Sequence, residues 1–396
     1  MLSILSQGGP MQETQVVKDV LYGNMVLPKF VVILSETELM QRLRWLSQDV
    51  LPNVLLDYGS MATRFEHSLG VAYLMSLVIG SNPALNSVAP SLITAALFHD
   101  AGNPGFSHLF ENFLEASTGV RAEGYLQQVV NTRLKELWKQ YGVDPEIVFN
   151  LVAGTAQPLS GIISGSIDVD NIDNVLRYNH HAMCGGPLYN AKTIAQDFFW
   201  NKGEWTLPVE QYPEVVKWQE CRRAVYAKIY EPAHLIPSQM LYRAAEFAHV
   251  DGDLTPSFYR FTDAQAFVFL RDECGPRTQV LINRVYGYTW YAKMFSLNTV
   301  RPNGKLQTLT KAFEPRMNAA NTLAKKLLLP LEDVCIYAGF GRDSRTITIP
   351  FVDGGVKWYD PKPDQKNFRL QVFVNPEAKV TTRQITEILA TEGYLD

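Results

Sequence analysis

The sequence predicts a mainly α fold, a helical bundle with a small α+β appendage at its C-terminal end. Three observations predict it. Apolar residues recur at helical spacing between caps and stop signals through most of the 396 residues. No strand–helix–strand alternation of the kind that builds a parallel sheet is present. Beyond about residue 330 the composition shifts to β-branched and aromatic runs divided by turn residues.

The elements follow in order. Residues 1–14 read as a flexible arm, and ordered chain begins at 16–24 with an Asp-x-x-x-Gly turn. Ser35 caps a helix through 39–48, with Glu36 and Glu38 in its first turn. A second helix covers 62–79 and stops at Gly80-Ser81-Asn82-Pro83; a third covers 91–100 and ends at Ala101-Gly102-Asn103-Pro104-Gly105. Amphipathic helices occupy 122–156 and 212–250, and 189–208, rich in aromatics, Gly and Pro, reads as an insertion or lid. Residues 263–271 and 280–296 are helical in pattern. Strands are expected over 334–337, 345–349, 355–359 and 368–374, then a closing helix over 382–390. The division is an arm (1–14), a helical domain (15–185), a helical extension (186–330) and a small α+β unit (331–396), without repeats or low-complexity tracts.

Bulk properties narrow the function. The chain is 46% hydrophobic and 19% charged, as in an ordinary globular protein, and is long enough for two or three structural units. A formal net charge of −4 argues against a global nucleic-acid or membrane footprint. Cys184, Cys221, Cys274 and Cys335 are far apart and form no CxxC pair, which fits free thiols in a reducing cytosol. The N-terminus lacks the basic region and apolar core of a signal peptide, and no run of ~20 apolar residues occurs. A cytoplasmic protein is expected.

The chemistry gathers around His99-Asp100, which ends the apolar run 91–98. An adjacent imidazole and carboxylate at a helix terminus can both reach one divalent ion. A second imidazole, His67, lies in Arg64-Phe65-Glu66-His67-Ser68-Leu69-Gly70-Val71. Downstream, Asp168-Val169-Asp170-Asn171-Ile172-Asp173 supplies carboxylates to close the shell. His67, His99, Asp100 and one of these aspartates would make an N2O2 site with positions left for water and substrate.

In these stretches, together with Met40-Gln41-Arg42-Leu43-Arg44 and Gly105-Phe106-Ser107-His108-Leu109-Phe110-Glu111, the chain resembles the HD-domain metal-dependent phosphohydrolases. Within them it is most similar to the dNTP triphosphohydrolase branch, which includes the SAM- and HD-domain proteins. The likeness covers roughly residues 15–185, with a weaker echo to about 295. It implies hydrolysis of a nucleotide phosphoester by a metal-activated water, with His67, His99, Asp100 and Asp170 as ligands. It also implies a homo-oligomer. Mn, Mg, Fe, Co, Ni and Zn all tolerate such a donor set. Arg64 would contact substrate phosphate, and Gln48 would stand beside the nucleotide sugar. His108, with Glu111 one turn on to orient and charge it, would act as general acid or phosphate contact. His180, His181, His234 and His249 read as packing or surface histidines.

The chain also departs from that pattern. Asn103 stands at a substrate-side position where the family carries a histidine, followed by Pro104-Gly105 in reversed order. Asparagine cannot shuttle a proton at neutral pH. Ala122-Glu123 replaces a His-Glu pair, Asn174 replaces a sugar-side tyrosine, and Asp49-Val50 follows Gln48 where Leu-Gly is usual. A dNTP triphosphohydrolase-like activity is the leading expectation. The alternatives are a nucleoside monophosphate phosphatase, or a nucleotide-binding sensor or regulatory scaffold with little turnover.

Overall fold

The computed structural model describes residues 13–51, 61–360 and 366–395, so the arm read over 1–14 lies almost wholly outside the described residues. The fold is mainly α with a small α+β unit near the C-terminus, as the periodicity predicts.

The chain opens with a hairpin of β1 (Thr14–Asp19) and β2 (Gly23–Pro28), turned by the Asp-x-x-x-Gly segment. Asp19 accepts from the Leu21 and Tyr22 amides inside that turn. Three helices carry the site. Arg64–Gly80 begins at a capping box: Thr63 Oγ1 accepts from the Glu66 amide, and the Glu66 carboxylate accepts from the Thr63 amide. Glu66 is thereby assigned to helix initiation. Ala89–Phe98 is buried at every position, with Pro90 in its first turn, and delivers His99 at its C-terminal end. Val169–His181 starts at Asp168, whose carboxylate accepts from the Asn171 amide.

These helices share one large apolar core with Phe30, Trp138 and Trp218. A second core holds Phe106, Phe110, Phe113 and the Pro232–Val250 helix. In the third, helices Phe313–Lys326 and Thr382–Thr391 cover an antiparallel sheet of β5 (Ala292–Thr299), β9 (Phe368–Val374) and β6 (Val334–Phe340), in the order β5-β9-β6.

Several local expectations are corrected. Ser35 ends a helix, Lys29–Ser35, with its hydroxyl donating to the Val32 carbonyl; the next helix, Glu38–Arg42, starts at Thr37 and is far shorter than 39–48. Residues 280–296 split into the helix Pro276–Tyr286 and strand β5, because the chain turns at Gly287 and the left-handed Tyr288 (φ 55°). The span 189–208 is no lid: Phe198 and Leu207 are buried, and β3 (Phe199–Asn201) and β4 (Glu204–Pro208) join a sheet ordered β3-β4-β7-β8. Its other strands are β7 (Phe351–Asp353) and β8 (Val356–Trp358), and β4 and β7 run parallel. Residues 345–349 form no strand, yet Ile347 and Ile349 are buried in the large core. The boundary read at 330/331 is crossed both ways: β5 joins the C-terminal sheet, and 347–351 return to the helical body.

Candidate metal centre

The centre lies where the His67 helix, the end of the His99 helix and the first turn of Val169–His181 converge. The ligand atoms of His67, His99 and Asp100 lie within 4.8 Å of one another. The two Nε2 atoms are 3.2 Å apart. Asp100 Oδ2 lies 3.7 and 3.5 Å from them, and Asp170 Oδ1 3.0 and 3.7 Å.

Proton assignment decides what this cluster can hold. His67 Nδ1 donates to Asp173 at 2.7 Å, and His99 Nδ1 donates to the Ala96 carbonyl at 2.8 Å. A neutral imidazole has one N–H, so both Nε2 atoms present lone pairs. Two nitrogen lone pairs, Asp170 Oδ1 and Asp100 Oδ2 then face one another; Arg64 Nη1 donates to Asp100 Oδ2, but among the described residues no donor serves the other three, an arrangement that repels unless a cation sits among them. The donor set fits a divalent ion. With protons as the only cations, burial pulls the His99 imidazole down but Asp100 and Asp170 push it up to about 9. Burial pushes Asp170 up, yet the two imidazoles hold it well below the usual carboxylate range.

Each member is held from behind. Asp173, fully buried, accepts two bonds from Arg177 (Nε and Nη2, both 2.8 Å), and Arg177 Nη1 donates to Asp19 at 2.9 Å. Gly70, one turn after His67, makes room: a Cβ there would lie 2.1 Å from Asp173 Oδ2 and 2.5 Å from Arg177 Nη2. Asp100 accepts from Arg64 Nη1 at 2.5 Å and from Asn103 Nδ2 at 2.6 Å. Arg64 Nε donates to Ser107 Oγ at 2.5 Å. Asn103 is only 3% exposed, and its carbonyl accepts from Arg42 Nη1 at 2.9 Å.

The segment after Asn103 is also pinned. Phe106 and Ser107 are both left-handed (φ 60° and 50°), a conformation costly for residues with side chains. Asp263 holds it, accepting from the amides of Phe106 (2.8 Å) and Ser47 (2.7 Å). Burial pushes the Asp263 carboxyl up to about 6. His108 follows at 46% side-chain exposure, its Nδ1 2.6 Å from Glu111 Oε1. Burial pushes Glu111 up, and His108 more than reverses this.

Gln48 is buried, its Nε2 donating to Asn174 at 3.2 Å and its Oε1 without a hydrogen-bond partner among the described residues. His234 is buried as well, with Nε2 2.6 Å from Asp49 Oδ1, and Tyr178 donates to the other carboxylate oxygen. His249 packs edge-on against Phe313. Sequence reading offered Asp173 only as a rival ligand, Asp19 only as a turn residue and Ser107 only as part of a motif, and gave Arg177 no role. The i,i+4 pair Asp173/Arg177 and a glycine on the His67 face were the available signals.

Residues 64–177 match the sequence profile of the HD domain. An uncharacterized Mycoplasma pneumoniae protein, the MG461 homolog, is 26% identical over 198 residues, covering 46% of this chain and 46% of its own. The Dictyostelium discoideum homolog of the deoxynucleoside triphosphate triphosphohydrolase SAMHD1 is 26% identical over 191 residues, covering 43% of this chain and 37% of that protein. Human SAMHD1 is 28% identical over 148 residues, 33% of this chain and 24% of its own. The chain thus spans less than half the length of each of these three. A hypothetical protein from Aquifex aeolicus of known crystal structure shares the fold, with a TM-score of 0.72 over 96% of this chain and all of that one, at 19% identity.

Proposed function

We propose that this protein is a metal-dependent phosphohydrolase acting on a nucleotide, with dNTPs as the leading substrates; the match of residues 64–177 to the HD domain and the likeness to deoxynucleoside triphosphate triphosphohydrolases support this reading. The observation that carries this reading is the convergence of two imidazole lone pairs with two carboxylate oxygens, of which Asp100 Oδ2 alone has a donor, Arg64 Nη1, among the described residues. On this reading His67, His99, Asp100 and Asp170 hold a divalent ion; Mn, Mg, Fe, Co, Ni and Zn all suit the donors. When bound, the ion neutralises phosphate charge and acidifies a water for attack.

The remaining residues divide the work. Arg64 and Asn103 orient Asp100, Arg64 through Nη1 with Nε on Ser107, and the Nη2 end of Arg64 would contact substrate phosphate. His108, exposed on its outer side and backed by Glu111, donates a proton to the leaving oxygen or binds phosphate. Gln48 offers a buried acceptor to the sugar. The protein works as a homo-oligomer in the cytoplasm; no helix among the described residues is long and apolar enough to cross a membrane.

Asn103 favours a second reading, a nucleotide sensor with little turnover, because an amide locked onto Asp100 cannot relay protons. A turnover screen over dNTPs, NTPs and monophosphates with each metal, reading phosphate and triphosphate release separately, decides between them. Release of either product that is lost in Asp100→Ala supports the enzyme. Tight nucleotide binding without release under any metal overturns it in favour of the sensor.

A further inference from the structure

The four candidate ligands are not held alike. His67 is backed by Asp173, His99 by the Ala96 carbonyl, and Asp100 by Arg64 and Asn103. Among the described residues the Asp170 carboxylate has no partner except the two imidazoles of the centre, and at 27% side-chain exposure it is the most open of the four. Its position is therefore set by the backbone of the helix turn that carries it.

That turn is tied down through Asn171. Asp168, fully buried, accepts from the Asn171 amide at 2.7 Å and from Asn171 Nδ2 at 2.9 and 3.0 Å. With its NH2 on a carboxylate, the Asn171 side chain turns its oxygen the other way, and two arginines donate to it: Arg345 Nη1 at 2.6 Å and Arg222 Nη1 at 3.3 Å. Arg345 Nη2 donates to the Gly165 carbonyl at 2.5 Å, on the segment leading into the helix. One planar guanidinium thus joins residue 165 to residue 171, bracketing Asp170 in the chain.

Arg345 comes from the stretch between β6 and β7, which is itself fastened to the helical body. Arg222 Nε donates to the Arg342 carbonyl at 2.9 Å, and Gln219 Nε2 donates to the Arg345 carbonyl at 3.3 Å. The Thr348 amide donates to Ser166 Oγ at 2.9 Å, and Ile347 and Ile349 are buried in the large core. Those apolar anchors already satisfy a packing role. The two donors of Arg345 go instead to the two flanks of the Asp170 turn.

We propose that Arg345 is a positioning residue for Asp170: through Asn171 and the Gly165 carbonyl it fixes the turn that aims the carboxylate, so that the stretch between β6 and β7 supports the metal centre. This rests on the metal-dependent reading above, in which Asp170 is a ligand. Without Arg345 the first turn of the helix loosens, and Asp170, with nothing behind it, is free to swing toward solvent.

Competition of the full chain with a metal-chelating dye, for Mn²⁺ and for Co²⁺, tests this. The variants are Arg345→Met, which keeps the stem, Arg345→Lys, which keeps the charge, and Asn171→Ala; urea unfolding of the metal-free proteins is read in parallel. Arg345→Met and Asn171→Ala should each weaken metal binding about 10-fold, the lower end of the range for groups that orient a ligand. The visible absorption of the Co²⁺-loaded protein should change with them, because it reports the donors around the ion rather than the stability of the fold. Lys should restore part of the affinity, since one ammonium replaces a fork that bridges two oxygens. Combining Arg345→Met with Asn171→Ala should cost less than the product of the two single losses, because both cut the same link. Wild-type affinity and absorption in folded Arg345→Met and Asn171→Ala proteins would overturn the proposal and leave the metal-dependent reading standing. Weaker binding with unchanged absorption, or losses that multiply in the double variant, would assign Arg345 to general support of the fold and overturn it as well. If Arg345→Met does not fold, Arg345→Lys and Asn171→Ala carry the same comparison. A wild-type protein that binds neither ion overturns both the proposal and the reading beneath it.

Discussion

Replacing Asp173 with asparagine should weaken metal binding while nearly preserving side-chain volume. Asp173 is fully buried and accepts from His67 Nδ1 and from two nitrogens of Arg177, all at 2.7–2.8 Å. The asparagine NH2 must face either the His67 N–H or the Arg177 guanidinium, donor against donor. Two routes give the cost in stability. Burial pushes the Asp173 carboxyl up, but Arg177 and His67 bring it from 3.8 down to about 2, a shift worth about 2 kcal/mol at neutral pH. Breaking a buried pair by removing one partner costs about 3–5 kcal/mol. Asp19 still faces Arg177 at 2.9 Å in the variant, so the lower figures apply and about 2–3 kcal/mol is expected. His67 loses its fixed tautomer and orientation, which should weaken metal binding by about 10- to 100-fold. Urea unfolding of the metal-free protein at pH 7 reads the first effect, and competition with a metal-chelating dye reads the second. Wild-type stability together with wild-type metal affinity would refute the view that Asp173 aligns His67.

Three further outcomes are expected. His99→Ala and Asp100→Ala should each lose the ion and hydrolysis, because the remaining donors cannot hold a labile divalent ion; full occupancy by elemental analysis with normal turnover would contradict this. Asn103→His should lower metal retention and gain nothing on dNTPs, since the imidazole must fit a site only 3% exposed and give up the bond to Asp100; faster dNTP turnover with a pH profile turning near about 6.5 would sink this reasoning. Burial pushes Asp49 up, but His234 and Tyr178 hold its carboxyl down to about 2, so it contributes about 2 kcal/mol above pH ~4 that is lost as pH falls through 2. Asp49→Asn should therefore flatten the acid limb of stability between pH ~4 and ~2, and an unchanged limb in chemical-denaturation series would refute the assignment.

What was legible in the sequence is what is local. His67, His99-Asp100 and Asp170 sit in short strings on helix faces or ends, and the His108/Glu111 pair follows from helical spacing, its nitrogen and oxygen 2.6 Å apart. The supports were not legible because they come from far along the chain: Arg177 reaches Asp19 across 158 residues, and Arg345 reaches Asn171 across 174. Strand β5 was hidden because its apolar residues continue the pattern of the preceding helix; Gly287 was the overlooked stop. The aromatics of 189–208 suggested a lid, but Phe198 and Trp205 are core residues, and burial cannot be read from aromatic content alone. At 345–349 β-branched residues gave a strand signal, while the segment meets no ladder and spends its polar groups on Gly165, Ser166 and Asn171.

The protonation pattern also constrains where chemistry can occur on the proposed reading. His67 and His99 have both ring nitrogens assigned, one to a backing acceptor and one to the centre, so neither can carry a proton to a leaving group. Asn103 is locked onto Asp100, and Arg64 gives Nη1 to Asp100 and Nε to Ser107. Proton transfer then falls to His108, whose Nδ1 faces Glu111 and whose side chain is 46% exposed. The leaving oxygen must lie on the His108 side. Release of triphosphate from a dNTP would break the bond between the α-phosphorus and the nucleoside oxygen, so that oxygen is the one His108 would protonate, while the triphosphate keeps the attacking oxygen.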